Sequence, residues 1–244
     1  MICSIEKILL NDKILDGVFE MRIEGKFQGV PGQFYMLKPL KSDILLPRPI
    51  SIYGIGENYI SFLYQVVGEG TEIMSKLEEN DEIQIMGPLG NGFELENIKG
   101  KVALVSGGIG VAPLINLAKE LKNCDIDFYA GFRNVDYSVD NVEKLVNKIY
   151  LSTEDGSKGH KGFVTDLLKP EEYDMIITCG PLIMMQKVVK MALEKNTDIL
   201  VSMENRMACG LGACLGCTCK TKDGNKTVCK TGPVFRGEDF IFNE

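Results

Sequence analysis

The sequence predicts a multidomain β plus α/β protein, in which a small β-barrel or sandwich precedes a doubly wound parallel-sheet domain and a cysteine-rich segment follows. Three observations support this prediction. Before residue 100, apolar residues recur at every second position. Between residues 100 and 203, apolar runs alternate with stretches of helical periodicity, which is typical of a parallel sheet covered by helices. Five of the eight cysteines fall within the last 36 residues.

The first hundred residues predict short strands separated by glycine and proline turns. In residues 59–66, the side chains of Ile60, Phe62, Tyr64 and Val66 share one face at period two. Further strands are predicted at residues 18–23, 33–37 and 82–86, and one short helix at residues 71–77. Short strands with regularly spaced turns form a small barrel or sandwich.

The pattern changes after Gly100. Residues 102–105 form a continuous apolar run, as in a strand buried on both faces, and a glycine loop leads from it into a helix predicted at residues 111–121. Further strands are predicted at residues 127–130, 148–151, 175–178 and 199–202, and the clearest helix at Leu182–Glu194. This alternation predicts a doubly wound parallel sheet. From residue 207 onward the sequence predicts loop, with one hairpin turning at Asp223-Gly224.

Charge and hydropathy exclude several classes of protein. The net charge is −7, from 27 basic and 34 acidic residues with no run of lysine or arginine, so nucleic acid and anionic membranes are poor partners. The longest uncharged stretch, residues 102–118, contains three glycines and a proline and predicts no membrane span. No basic region leads into an apolar one at the N-terminus, so we expect a cytosolic protein.

The spacing of four cysteines predicts a 2Fe–2S cluster. Cys209, Cys214 and Cys217 have the C-x4-C-x2-C spacing with which plant-type ferredoxins hold such a cluster, and Cys229 is the natural fourth ligand. Three glycines lie in the same stretch: Gly210, Gly212 and Gly216. They allow the backbone to fold around two irons, and their amides are available as hydrogen-bond donors to the sulfurs.

Two other interpretations of these cysteines remain open, a four-cysteine zinc site and thiols without a ligand. Cys219 is a fifth candidate, but it lies two residues beyond Cys217, where its side chain would crowd the same iron. The single histidine, His160, excludes a Rieske centre and a zinc finger with two histidines. It lies in a polar loop, so we expect it to be solvated.

A glycine loop predicts a pyrophosphate site at the start of the α/β part. Gly107, Gly108 and Gly110 would let a ligand approach the backbone, and the following helix offers free N–H groups. The third position of the dinucleotide-binding fingerprint holds Pro113 instead of glycine, so a purely structural turn remains an alternative.

Other loops end at the same predicted edge of the sheet, where open α/β sheets bind ligands: residues 131–134, 154–156 and 179–181. The last of these is Cys179-Gly180-Pro181. A lone buried cysteine is usually a small apolar side chain, and only its place at this edge makes Cys179 a candidate.

Two anion sites are predicted in the β part. In Arg48-Pro49-Ile50-Ser51, a guanidinium lies at a strand start beside a rigid proline, and arginine makes bidentate contacts with phosphate. Gly70-Thr71 opens the short helix and offers N–H groups to an anion. Taken alone, each has a plainer explanation, a surface ion pair for the arginine and a helix cap for the Gly-Thr pair.

Together these motifs resemble the ferredoxin–NADP reductase superfamily, and the run from Arg206 to Cys217 narrows the resemblance to the electron-transfer subunits of NAD-dependent, class 1B dihydroorotate dehydrogenases. The resemblance spans essentially the whole chain. It implies an FAD-binding antiparallel β-barrel in residues 1–98, a nicotinamide-binding α/β domain in residues 99–203 and a 2Fe–2S cluster-binding segment in residues 204–244.

The resemblance also implies which residues bind each cofactor. FAD would contact Arg48, Pro49, Ile50, Ser51, Leu63, Tyr64, Gln65, Gly70 and Thr71. NAD would be framed by Gly107, Gly108, Gly110, Ala112, Pro113, Cys179, Gly180 and Pro181. The cluster would be ligated by Cys209, Cys214, Cys217 and Cys229. Asp136 would disfavour the 2′-phosphate of NADP only if it faces the ribose.

In this family, dihydroorotate is oxidised at an FMN on a separate catalytic subunit during pyrimidine biosynthesis, and electrons pass through the cluster and FAD to NAD⁺. The resemblance implies a cytoplasmic heterotetramer with two copies of each subunit. We find no set of side chains that must act as acid, base or nucleophile, so no catalytic side chain is predicted. Two alternatives remain, a flavin subunit of a hydrogenase, sulfide reductase or bifurcating transhydrogenase, and a zinc-stabilised binding module.

Overall fold

The computed structural model describes residues 1–40 and 43–241, and the first part of the chain is a closed antiparallel barrel. Its strands are β1 (Ile2–Leu15), β2 (Val18–Glu24), β3 (Phe34–Pro39), β4 (Arg48–Ile55), β5 (Tyr59–Gln65) and β6 (Glu82–Leu89). They pair in the order β1-β2-β5-β4-β3-β6, and pairing of β6 with β1 closes the barrel. Large side chains such as Tyr35, Phe62 and Tyr64 fill the interior. The predicted β-barrel is confirmed.

Two elements of the barrel differ from the sequence prediction. The long strand β1 was not predicted, because outward-facing Ile5 and Leu9 are apolar but exposed, which removes the polar half of the alternation. Helix α1 (Glu69–Met74) begins two residues before the predicted helix and ends three residues earlier. It connects β5 to β6 on the side of the barrel where β4 begins.

The second part is a parallel sheet with helices on both faces. The remaining strands are β7 (Gly100–Gly107), β8 (Cys124–Phe132), β9 (Lys148–Thr153), β10 (His160–Lys161), β11 (Met175–Cys179), β12 (Asp198–Ser202), β13 (Thr218–Thr221), β14 (Gly224–Thr227) and β15 (Val234–Arg236), and the helices are α2 (Val111–Glu120) and α3 (Leu182–Glu194). Seven strands form the sheet in the order β10-β9-β8-β7-β11-β12-β15, in which only β15 runs antiparallel to its neighbour.

The apolar strand β7 shows why the sheet is doubly wound. Val102 and Leu104 pack with α2 on one face, whereas Ala103 and Val105 pack with α3 on the other. A strand buried on both faces needs this continuous apolar run, so the predicted doubly wound sheet is confirmed. No helix in the described part of the chain is long and apolar enough to cross a membrane.

The C-terminal segment belongs to both parts of the molecule. Strands β13 and β14 form the predicted hairpin, which turns at Lys222-Asp223, one residue earlier than expected. β15 then adds to the edge of the parallel sheet beside β12. On the barrel side, the Asn91 side-chain amide donates hydrogen bonds to the carbonyls of Lys230 (3.2 Å) and Thr231 (3.1 Å). The segment is therefore packed between barrel and sheet.

Candidate functional site

A cleft of about 750 Å³ lies between the barrel and the parallel sheet. One wall is formed by β4, β5 and the turn before α1, and the other by the start of α2 and the stretch that follows β12. Its lining combines apolar side chains with a few polar groups, which is usual for cofactor sites. The predicted flavin residues that line it are Arg48, Pro49, Ile50, Ser51, Leu63, Tyr64, Gln65 and Thr71.

The Arg48 guanidinium is held at the edge of this cleft by the backbone. Its Nη1 donates a 2.6 Å hydrogen bond to the Leu46 carbonyl, and no carboxylate of the described residues lies within 4.0 Å of it. A surface ion pair, the plainer explanation of this arginine, is therefore absent among the described residues. The charge is available to a phosphate.

Gly70 does not line the cleft but lies directly against Arg48. A Cβ at position 70 would overlap the guanidinium, so only glycine leaves room for the arginine in this position. The Thr71 hydroxyl accepts hydrogen bonds from the backbone N–H groups of Val67 (2.9 Å) and Gly68 (3.2 Å). The threonine side chain is therefore the helix cap, and its contribution to an anion site is to fix the turn beside Arg48.

Tyr64 contributes to the cleft wall through its position rather than its hydroxyl. The hydroxyl is turned into the barrel, where it donates a 2.9 Å hydrogen bond to Asn11 Oδ1. Burial raises the pKa of this hydroxyl, although the bond to Asn11 opposes the shift. The tyrosine is neutral and fixed, and it shapes the cleft without supplying a charge.

The glycine loop and the Cys179-Gly180-Pro181 loop touch backbone to backbone at the carboxyl ends of β7 and β11, which are neighbouring strands. A Cβ at Gly110 would overlap the carbonyl of Cys179. Gly180, with φ of 149°, faces the backbone of Gly107, where a Cβ would lie 2.8 Å from the amide nitrogen. These glycines are therefore required by the contact between the two loops.

Gly108 is the exception among the loop glycines. Its φ is 52°, and a Cβ there would meet no atom closer than the Tyr137 hydroxyl at 3.9 Å. Its backbone thus faces open space at the sheet edge, where a nucleotide can approach closely. Ala112 and Pro113, one turn further along the chain, line the large cleft opposite the barrel strands.

The sequence analysis does not predict one part of the cleft wall, the stretch from Ser202 to Met207. It follows β12 at the same carboxyl edge of the sheet. That position is the one sequence feature that could have indicated a ligand-binding role for it. Glu204 within it is exposed toward the cleft but surrounded by protein on the other sides, and this desolvation raises the pKa of its carboxyl. Burial, together with the nearby Glu204, also raises the pKa of the Cys179 thiol.

The four predicted cluster cysteines accept hydrogen bonds from the surrounding backbone. The donors are the amides of Leu211 to Cys209 Sγ (3.3 Å), Cys214 to Cys209 Sγ (3.5 Å), Gly212 to Cys229 Sγ (3.1 Å), Gly216 to Cys214 Sγ (3.4 Å) and Cys229 to Cys217 Sγ (3.4 Å). Two of the three expected donors, Gly212 and Gly216, are among them, whereas the Gly210 amide is not. Amides aimed at sulfur stabilise thiolate, which is the form that binds iron.

The thiols are arranged as two pairs. The amide of Cys214 is the main cause that lowers the pKa of Cys209 to about 6, and the Cys214 thiol adds to the effect. Burial, and next the adjoining Cys217 thiol, raise the pKa of Cys229 to about 12. In the described part of the chain, no group of three or more histidine, cysteine, aspartate or glutamate side chains is arranged to hold a single metal ion. Two adjacent pairs fit a cluster in which each of two irons takes two thiolates.

Cys219 lies outside this arrangement. Its thiol donates a 3.5 Å hydrogen bond to the Lys226 carbonyl across the β13–β14 hairpin. Burial is the main cause that raises the pKa of this thiol, so it is kept protonated. The cysteine is part of the hairpin, whereas Cys229 adjoins Cys217.

The cysteine segment is packed tightly against the barrel. Gly210 has φ of 69°, and a Cβ there would lie 2.9 Å from both Met36 and Leu89 on the barrel strands β3 and β6. The cleft wall 202–207 runs directly into Cys209 along the chain. The thiol pairs and one wall of the cleft therefore belong to one continuous segment of the chain.

Comparison with known proteins identifies a family model and several proteins that this chain resembles. A family model described as the iron–sulfur cluster binding domain of dihydroorotate dehydrogenase B matches residues 204–241. The dihydroorotate dehydrogenase B (NAD(+)) electron transfer subunit of Clostridium acetobutylicum is 59% identical over 241 residues, which cover 99% of this chain and 98% of that protein. The protein of the same name from Clostridium perfringens is 48% identical, over 97% of both chains.

Solved structures agree with the architecture. A structure of an NADH-dependent reduced ferredoxin–NADP oxidoreductase has a TM-score of 0.87 and 32% identity, covering 97% of this chain and 89% of that one. A ferredoxin NADP⁺ reductase from Neisseria gonorrhoeae, solved with FAD and NADP, shares the fold at a TM-score of 0.63 and 14% identity, over 84% and 94% of the two chains. With the barrel, the doubly wound sheet and the paired thiols, these relatives show that the chain belongs to the family of dihydroorotate dehydrogenase B (NAD(+)) electron transfer subunits.

Proposed function

We propose that this chain passes electrons from the FMN of a separate dihydroorotate dehydrogenase catalytic subunit, through a 2Fe–2S cluster and FAD, to NAD⁺. Its place would be in pyrimidine biosynthesis, because the named relatives are subunits of dihydroorotate dehydrogenase. The observation that carries the proposal is the continuity of the thiol pairs with the cleft through residues 202–209. A flavin supplies the necessary chemistry, since it exchanges electrons either singly or as a hydride.

We assign FAD to the large cleft. Arg48 would hold its phosphates, with Gly70 leaving the guanidinium in place. The other proposed contacts are Pro49, Ile50, Ser51, Leu63, Tyr64, Gln65 and Thr71. Their apolar surface would exclude water from the bound ring.

We assign the nicotinamide nucleotide to the sheet edge, at Gly107, Gly108, Gly110, Cys179, Gly180 and Pro181, with Ala112 and Pro113 on the side that faces the flavin. Gly108 offers open backbone for a pyrophosphate. The Asp136 carboxylate, which pairs with Lys158 at 2.8 Å, lies beyond β8. Because Lys158 already neutralises this carboxylate, the choice of NAD over NADP rests on the names of the relatives rather than on Asp136.

We assign the cluster to Cys209, Cys214, Cys217 and Cys229, whose sulfurs accept hydrogen bonds from backbone amides that would stabilise them once they ligate iron. Cys214 is exposed, whereas Cys217 and Cys229 are buried against the protein. The side of the cluster at Cys214, whose pair partner Cys209 is half-buried, would therefore face the catalytic subunit. We propose a heterotetramer of two copies of each subunit. We also propose a cytoplasmic location, because a reducing compartment keeps the cluster cysteines available as ligands.

The decisive experiment is anaerobic co-purification with the catalytic subunit. We expect a coloured complex with FAD, iron and acid-labile sulfide bound to this chain, and dihydroorotate-dependent reduction of NAD⁺. The complex should lose that reduction, but keep oxidation of dihydroorotate by an artificial acceptor, when this chain is omitted. A colourless or zinc-loaded chain, or full NAD⁺ reduction by the catalytic subunit alone, would refute the proposal.

A further inference from the structure

A second cleft lies between the barrel and the α/β part, at the other end of α2 from the flavin cleft. Its volume is about 410 Å³, within the range of small-molecule sites. The outer face of the barrel contributes Arg22, Tyr53 and Tyr59, and α2 contributes Asn116 and Lys119. None of the residues assigned to FAD, NAD or the cluster lines it, so this cleft is separate from the three proposed cofactor sites.

Asn116 is the first sign that the cleft is built for a ligand. The residue is only 8% exposed, and its side-chain amide, which forms no hydrogen bond with the described residues, is open to the cleft rather than sealed in the protein. An unpaired amide in the wall of a cleft is available to a bound molecule.

Lys119 is the second sign. Its ammonium lies 4.8 Å from the ring centroid of Tyr53 and donates a 3.4 Å hydrogen bond to the Tyr53 carbonyl. No carboxylate oxygen of the described residues lies within 4.0 Å of it. Burial lowers the pKa of this lysine, and Arg22 adds to the effect while Glu20 opposes it. It is a desolvated cation without a close counter-ion.

The other charges of the cleft do not replace that counter-ion. Arg22 is bound to Glu20 at 2.8 Å and lies over the Tyr59 ring at 5.2 Å, so this pair is already neutral. Glu120 is exposed to solvent, and its charge, like that of Glu20, opposes the lowering of the Lys119 pKa, but no ion pair joins Glu120 to Lys119 within 4.0 Å. A ligand with a negative group would therefore complete the cleft at Lys119.

We propose that this cleft binds a small anionic metabolite, whose carboxylate or phosphate is held by the Lys119 ammonium and whose second polar group bonds the Asn116 amide. Lys119 and Asn116 belong to α2, whereas Tyr53 belongs to β4 of the barrel. The bound anion thus contacts both parts of the molecule. Because α2 begins at the flavin cleft, occupancy would fix the barrel and the α/β part in the arrangement that forms that cleft.

Calorimetric titration of the full, FAD-loaded chain tests this site. Inorganic phosphate and orotate, a planar carboxylate, are the probes, and saturating NAD⁺ is present so that neither probe occupies the nucleotide site. We expect saturable binding of at least one probe, weakened about tenfold or more by Lys119→Met and by Asn116→Leu. Phosphate binding alone identifies a phosphate ester, and orotate binding alone a carboxylate. Lys122→Met removes an exposed lysine outside the cleft and should leave binding unchanged.

The variants also separate a binding site from a structural contact. Because the Asn116 amide has no partner, Asn116→Leu should not lower the midpoint of thermal unfolding of the ligand-free chain. Lys119→Met also removes the contact with Tyr53 and can destabilise the fold for that reason alone. If Lys119→Met is unfolded, Asn116→Leu tests the site by itself. No saturable binding of either anion in the millimolar range, or binding that both variants leave intact, would overturn the proposal.

Discussion

Gly68 and Gly70 lie two residues apart in the same turn, and their surroundings differ sharply. A Cβ at Gly70 would overlap the Arg48 guanidinium, whereas a Cβ at Gly68 would meet no atom within 4 Å. The φ of Gly68 is 177°, an extended conformation that any residue adopts. The pair is therefore a matched test of whether Arg48 must stay where it is.

We expect Gly70→Ala to weaken FAD binding by about 1.5–3 kcal/mol, the scale of a hydrogen bond to a charged group, because it displaces the guanidinium. Arg48→Ala should have a similar effect, and the double variant should add little to either change. The dissociation constant of FAD, measured by flavin fluorescence, gives all three values. Gly68→Ala should bind FAD normally, and an equal loss in both glycine variants would contradict this role of Arg48.

Cys214 and Cys219 provide a second matched pair at the scale of single residues. The Cys214 sulfur accepts the Gly216 amide at 3.4 Å, whereas the Cys219 thiol is engaged with the Lys226 carbonyl. Cys214→Ser should lose cluster iron and keep FAD, since the cysteine does not line the flavin cleft. Cys219→Ser should keep both. Iron and flavin per chain are the measurements, and unchanged iron in Cys214→Ser would remove that residue from the ligand set.

Glu204 predicts how stability depends on pH. Desolvation raises the pKa of its carboxyl above 4.5, so ionising it opposes folding. The contribution of the protonated group is fully present below that ordinary value and is lost as the pH rises through the raised value. Because the side chain is also exposed to solvent, which weakens the effect, we expect Glu204→Gln to raise the midpoint of thermal unfolding only slightly at neutral pH and to leave it unchanged at pH values below 4.5. An equal shift at both pH values would contradict the desolvation of this carboxyl.

At the scale of elements, the periodicity of apolar residues predicted the strands, because a strand is formed by residues that are neighbours in sequence. β2 and β5 were located to within one residue, and in β5 the period-two positions Ile60, Phe62 and Tyr64 do fill the barrel interior. The apolar run 102–105 marked the centre of β7, which extends two residues further at each end. The spacing of Cys209, Cys214 and Cys217 was equally local. The cleft wall 202–207 was missed because its role depends on β4 and α2, which lie far away in sequence. A contact between segments that lie far apart in sequence leaves no periodic pattern of residues.

The loops that follow β7 and β11 are in backbone contact, and this contact gives the proposed nucleotide site its shape. Gly110 has φ of −59°, so alanine there is not strained, but its Cβ would overlap the Cys179 carbonyl. Gly110→Ala should lower the free energy of unfolding by about 1–3 kcal/mol, as overpacking does. It should also weaken NAD⁺ binding because the loops must separate.

Urea unfolding and NAD⁺ titration check this prediction, with Gly108→Ala as the comparison. At Gly108 a Cβ meets open space, so the expected loss is only the roughly 1–2 kcal/mol of a left-handed backbone. FAD binding should survive in both variants. A Gly110→Ala chain as stable as the unmodified chain would show that the two loops are not in contact.

At the scale of the whole molecule, the cysteine segment completes both other parts. β15 covers the edge of β12, Pro233 and residues 204–207 line the flavin cleft, and Asn91 ties the segment to the barrel. A segment placed in this way is more than a carrier of four ligands. It forms a wall of the cofactor cleft and protects an open sheet edge.

A chain that ends at residue 203 tests this integration. Without β15 the β12 edge is unpaired, and without residues 204–207 one wall of the cleft is missing. We expect the shortened chain to lose FAD and to associate through the exposed edge, as gel filtration and flavin content would show. Cys214→Ser is the control, since it removes iron but leaves the segment in place. A monomeric shortened chain with a full complement of FAD would mean that the segment is an independent module, and that the nearness of thiols and cleft does not depend on a shared wall.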